Sequence, residues 1–325
     1  MRKLIWGVVG LVLVWSGYWF AGTWAVQSAV TQGLKQANAQ GVTASGGVET
    51  AGFPTAFDIT LRDLDLGNPV TGLRWQTPVV QLQAATWRPW HVVALLADDH
   101  TITLPDQQLL VRVDDARASL TLAADTDLTL MQIAATLTQP ALQSSLGWRG
   151  AADIVEIHLN LLPDQPNAYG LRFDAANLVP DPGFTAVSGL AGAISVIRLD
   201  GTLALTAPLD RHAGKTHPML DSFDLAEGRI VWGDIVLTAK GRLMADANGQ
   251  AEGRIDIYVT GWRGVIDALV AAGTITEQAA PTIAGLLGAM AAQGGDPGVL
   301  PLPLVFANGR GTLGPLPLGP APRLN

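Results

Sequence analysis

The 325-residue chain has no cysteine. That excludes disulfides, thiolate nucleophiles and zinc–thiolate centres. Charge is scarce: Asp, Glu, Lys and Arg make up 15% of the residues, against about 25% in an ordinary globular domain. The net charge is −8 and the sequence pI about 5.0. With no Lys/Arg run, the chain lacks the electrostatic footprint of a nucleic-acid binder. It also lacks a GxSxG elbow, an HExxH pair, a P-loop and an EF-hand loop. These absences argue against an enzyme and point to no catalytic residue, cofactor or metal.

What is present is apolar. Hydrophobic residues make up 48% of the chain and the mean hydropathy is +0.27. After Met1-Arg2-Lys3 comes an uncharged run from Leu4 to Val26, and the next charge is Lys35. Those 23 residues rise far enough as a helix to cross about 30 Å of hydrocarbon. Arg2 and Lys3 on the short side predict a single pass with a cytoplasmic amino terminus and the bulk of the chain outside. Trp15, Tyr18, Trp19 and Trp24 crowd the distal end, where amphipathic rings favour the interface. A cleaved signal peptide is the competing reading, but Thr23-Trp24-Ala25 is a poor cleavage site and the run is too long. The expected organisation is an anchor over 1–26, a helical and polar connector over 27–51, and a β-rich extracytoplasmic domain over 52–325.

From Phe53 onwards, alternation of apolar and polar residues dominates, as a half-covered antiparallel sheet requires. "FDITLRDLDL" alternates and then slips phase at Asp63-Leu64, which predicts a bulge. "DIVEIHLNLL" sets Val155, Ile157, Leu159 and Leu161 on one face, with Glu156, His158 and Asn160 on the other. The clearest ribbon is Gly233–Trp262. There Ile235, Leu237, Ala239, Gly241 and Leu243 share a face, Asp246-Ala247-Asn248-Gly249 turns the chain, and Ile255, Ile257 and Val259 follow. Asn and Gly tolerate positive φ, so this reads as a hairpin. Ile235, Leu237, Leu243, Ile255, Ile257 and Val259 are the candidate lining of an apolar groove. Short helices are expected over 127–147 and 263–292. The latter is two pieces, the second opened by a Thr274–Glu277 capping box and kinked or delayed by Pro281.

Three tempting clusters carry little chemistry. Gly309, Gly311 and Gly314 spell GxGxxG, but a Pro-rich end follows where a dinucleotide site needs a helix. His212 and His217 flank a Gly/Pro loop with no carboxylate at helical spacing. Asp98-Asp99-His100 are sequence neighbours, whereas catalytic groups usually converge from separate elements.

The segment "GFPTAFDITLRDLDLGNPVTGLRWQTPVVQLQAATWRPWHVVAL" (Gly52–Leu95), "RASLTL" (Arg117–Leu122) and the ending "LPLVFANGRGTLGPLPLGPAPRL" resemble the domain-of-unknown-function 2125 family. That resemblance implies a membrane-anchored protein of Gram-negative bacteria and carries no catalytic residues over. An anchor followed by alternating strands is also similar, more distantly, to AsmA-like envelope proteins, by architecture alone. The resulting expectation is a mainly β protein: an anchor, then an elongated antiparallel sheet, curved or folded. It would sit in the inner membrane with its bulk in the periplasm. Two functional readings stay open. In one the sheet binds or transfers lipid for envelope maintenance; in the other it is a scaffold with a dry, sandwich-like core that binds protein partners.

Overall fold

The computed structural model describes residues 14–22, 24, 27–28, 31–32, 35, 38, 43–183, 185, 190 and 192–324. Its strands are β1 (Thr43–Ala51), β2 (Ala56–Asn68), β3 (Leu73–Ala85), β4 (Arg88–Leu96), β5 (Asp99–Thr103), β6 (Gln108–Arg112) and β7 (Asp115–Leu122). Next come β8 (Leu130–Thr138), β9 (Ala141–Ser144), β10 (Arg149–Ala151), β11 (Ile154–Leu161), β12 (Ala168–Leu178) and β13 (Ile194–Leu205). A single helical turn, α1 (Ala213–Thr216), precedes β14 (Leu220–Trp232), β15 (Ile235–Ala245) and β16 (Ala251–Thr260). Helices α2 (Trp262–Ala271) and α3 (Ala280–Gln293) then lead to β17 (Val299–Pro301), β18 (Leu304–Ala307), β19 (Arg310–Leu313) and β20 (Leu316–Pro320).

All the pairings are antiparallel and build one large open sheet. Its main path runs β1–β2–β3–β4–β7–β8–β11–β12–β13–β14–β15–β16–β18–β19–β20. A branch leaves β3 through β5, β6, β9 and β10. It is tied back at the end of β12 by the bridge between Ala151 and Val179. The reason for so wide a sheet lies in the turns: short hairpin loops join most neighbours, and alternation gives each strand one face to bury.

The phase slip in β2 is a bulge. Asp63 adopts a φ of 50°, so Phe57, Ile59 and Leu61 face the core and Leu64 rejoins it after two exposed residues. Opposite Asp63 lies Pro78, between the pairs Arg62–Val79 and Leu64–Thr77, where no N–H is available to complete a ladder. Asp65 receives a two-pronged ion pair from Arg74, and that guanidinium lowers its carboxyl pKa.

Three expectations are corrected. The 127–147 segment is not helical: β8 and β9 lie there, and β8 is paired on both edges, to β7 and β11. A short apolar run such as "LMQIAATLT" fits either period, and two waiting strand edges decide it. The segment 27–51 is not connector throughout, because Thr43–Ala51 pairs with β2 as the first strand. The second helix of the 263–292 region begins at Ala280 with Pro281 in its first turn, so Pro281 delays the start. The Thr274–Glu277 capping box does not form the boundary; the Ala280 N–H donates instead to the Thr276 carbonyl at 3.1 Å.

Among the described residues no helix is long and apolar enough to cross a membrane. Residues 1–13, the first half of the expected span, lie outside the described residues.

Candidate functional site

In an antiparallel pair, residues directly opposite each other point to the same face. Following the register across the main path therefore traces rows of side chains. One row runs Leu82–Ala94–Ala118–Ala135–Ile157–Phe173–Leu199. The next runs Phe57–Ala84–Val92–Leu120–Ile133–Leu159–Leu171 and on through Gly201, Leu225 and Gly241 to Ile255. Every position in both rows is apolar or glycine. A row on the opposite face reads Arg117–Thr136–Glu156–Asp174–Arg198–Arg229. There Arg198 pairs with Asp174 at 2.6 Å and, two residues away on each strand, Arg172 pairs with Asp200 at 2.7 Å. One side of the sheet is an apolar floor and the other is wet.

Both ends of that floor are packed. At the β2–β3 end, Ile59, Leu61, Leu64 and Val80 form a core cluster with Trp75 and Leu82 against it. At the β15–β16 end, α2 and α3 lie over the sheet, and Trp262, Ile266 and Ala291 close on Val259 and Leu300. Between them, from β4 to β13, the side chains of these two rows are partly buried and Ile157 is 39% exposed, while Ala116, Tyr169 and Ala175 on the same face are buried. The result is an apolar trough, capped at each end and open along its middle.

The six residues singled out in the sequence fall at the capped end. Ile235, Leu237, Ile257 and Val259 pack with α2 and α3. Ile255 is buried opposite Gly241, and Leu243 lies opposite Gly253. The register aligns all six on one face, as the alternation implies, but the uncovered stretch belongs to β4, β7, β8 and β11–β13. Val155, Ile157, Leu159 and Leu161 carried that signal in their alternation; which strands flank them was not in it.

Gly241 and Gly253 in the ribbon are explained by close backbone approach. A Cβ on Gly241 would lie 2.2 Å from the Arg254 carbonyl oxygen, and one on Gly253 would lie 2.3 Å from that of Arg242. The missing side chains leave no free room; the neighbouring strand fills it.

The other clusters resolve separately. Asp99 pairs with Arg112 at 3.0 Å, while His100 is buried beside Trp75 with its Nδ1 unpartnered. Burial lowers the His100 pKa, against the nearby Asp99. His212 Nε2 lies 3.9 Å from Asp127, and His217 closes onto the Lys215 carbonyl. No group of three His, Asp or Glu side chains that could hold a metal occurs among the described residues. Gly309 and Gly314 take positive φ in the turns around β19, with strand and no helix between them. A hollow of about 600 Å³ lies against β5, β6, β9 and β10 beneath Val179–Pro182, apart from the trough.

No curated protein matches the chain, and no solved structure does. The family described as "Uncharacterized protein conserved in bacteria (DUF2125)" matches over residues 19–322, a span that takes in the strands, the trough and both helical caps. The chain belongs to that DUF2125 family.

Proposed function

We propose that this protein is a membrane-anchored envelope protein that holds lipid acyl chains on the apolar floor of its sheet. The observation that carries the reading is the partly exposed pair of apolar rows from β4 to β13, with a charged face behind them. Apolar area of that extent needs a cover. Five inter-strand steps give it a length of about 24 Å, against roughly 15 Å for one leaflet of a 30 Å hydrocarbon core. Each buried CH₂ is worth about 0.8 kcal/mol, so ten would stabilise a bound chain by roughly 8 kcal/mol before ordering costs. The uncharged run Leu4–Val26 supports an anchor beside a source of such chains, and Arg2-Lys3 supports an inside amino terminus.

Photo-crosslinking of the full chain in its membrane tests this. The benzophenone amino acid p-benzoylphenylalanine would replace Ile157 or Phe173 on the floor, and His158 or Arg172 on the opposite face. Phospholipid adducts at the first two positions only, seen by mass spectrometry, are the expected result. Protein adducts at those positions in place of lipid would establish the scaffold reading and overturn this one.

A further inference from the structure

The helical residues 14–22 are bolted to one end of the sheet. Trp15 Nε1 donates to the Pro54 carbonyl at 3.0 Å, Tyr18 Oη to that of Thr86 at 2.9 Å, and Trp19 Nε1 to that of Ala56 at 2.7 Å. Trp19 is 6% exposed, stacked on Phe57 with ring centroids 6.4 Å apart and edge-on to Phe53. Gly22 seats the helix: a Cβ there would come within 2.7 Å of the Phe57 ring. These contacts join the distal half of the expected span to the β1–β2 turn (52–55) and the β3–β4 turn (86–87).

That attachment constrains where the sheet can sit. Leu4 to Val14, even as continuous helix, reaches only about 16 Å, half of a hydrocarbon core of about 30 Å. If the run spans a bilayer, residues 15–22 must supply the rest, and they carry the two turns in with them. The turns are dressed for that position. Phe53 is 51% exposed, with Phe20 of the helix 6.1 Å from it between ring centroids, and Trp87 is 66% exposed. The turn residues themselves are uncharged; Arg88 follows Trp87, and the Asp58 carboxylate lies against Gly52. Exposed aromatic rings favour the headgroup boundary.

We propose that this end of the sheet is inserted into a phospholipid bilayer, with Phe53 and Trp87 seated at the boundary between headgroups and acyl chains. The proposal rests on the reading that Leu4–Val26 spans the membrane. Phe57, itself buried under Trp19, belongs both to this collar and to the second apolar row, so that row begins at the collar.

Because the chain has no cysteine, Phe53→Cys, Trp87→Cys and Val70→Cys each create a single labelling site. Val70 is exposed in the β2–β3 turn, at the far end of the same strands and about 40 Å from the collar. Each full-length variant would carry a nitrobenzoxadiazole fluorophore in vesicles of phosphatidylethanolamine and phosphatidylglycerol, with and without nitroxide-labelled phosphatidylcholine. Fluorescence lost to the nitroxide at positions 53 and 87, and kept at 70, is the expected outcome. Unquenched labels at 53 and 87 on protein that resists a carbonate wash would overturn the proposal while leaving the span intact. Equal quenching at 70 would overturn the end-on placement. Protein released by the wash would mean that the spanning reading itself has failed, and the proposal with it.

Discussion

Gly241 and Gly253 hold φ values of +151° and +136° within β15 and near the start of β16, conformations that L side chains rarely adopt. Each lies so close to the next strand's carbonyl that a methyl group has nowhere to go. Gly241→Ala is therefore expected to cost about 1–3 kcal/mol through strain and overpacking, read as a lower denaturant midpoint. His100 offers a second test. Continuing the β3–β5 register one residue beyond Gln76–Thr101 sets Thr77 opposite His100, and Thr77 Oγ1 and His100 Nδ1 are both buried without a partner. Burial depresses the folded pKa of His100 below 6.5, so between that value and 6.5 the unfolded chain binds the extra proton. Stability is then full above 6.5 and falls as pH drops through the folded value. Denaturant midpoints from about pH 8 to about pH 5 should show this slope, and His100→Leu should flatten it.

At the scale of elements, the hairpin β15–β16 and the helices that follow it make one unit. Asp246 accepts hydrogen bonds from the backbone N–H groups of Asn248 and Gln250, both at 2.8 Å, which pins the turn and holds its own carboxyl pKa below the usual range. Trp262 opens α2, is nearly fully buried, and donates its indole N–H to the Pro297 carbonyl at 3.3 Å. It ties the first turn of α2 to the loop before β17. Trp262→Ala should cost about 3–5 kcal/mol, and the expected signature is early exchange of α2, α3 and β17 amides while β11–β13 stay protected. Uniform loss of protection across the sheet would show instead that the end cap is not a separate unit.

At the scale of the molecule, the wide sheet has two faces with opposite tasks. The charged face needs only water, whereas the apolar floor is covered by side chains at its ends and by no described element along its middle. Ile157→Lys tests the division. Since Ile157 is already substantially exposed, the thermal midpoint should move by an amount corresponding to at most about 0.5 kcal/mol. Lipid adducts formed from a photo-reactive group at Phe173, its partner across β11–β12, should nonetheless drop sharply. A large stability loss with unchanged adducts would mean that the floor is an ordinary core.

Strand identity, the β2 bulge, the β15–β16 hairpin and the glycine turns near the carboxyl end were legible in the sequence, because alternation, turn chemistry and positive φ are properties of a few adjacent residues. The same local signals failed at 127–147, where a short apolar run suits two periods, and at Thr43–Ala51, which becomes a strand only by meeting β2. Which part of the floor is covered was decided by tertiary structure alone. That depends on β4 lying beside β7 and β8 beside β11, and on where α2 and α3 come down. It also depends on the docking of Trp15, Tyr18 and Trp19 onto carbonyls some 40 to 70 residues away. Such pairings bring together residues remote in sequence, and no local periodicity encodes them.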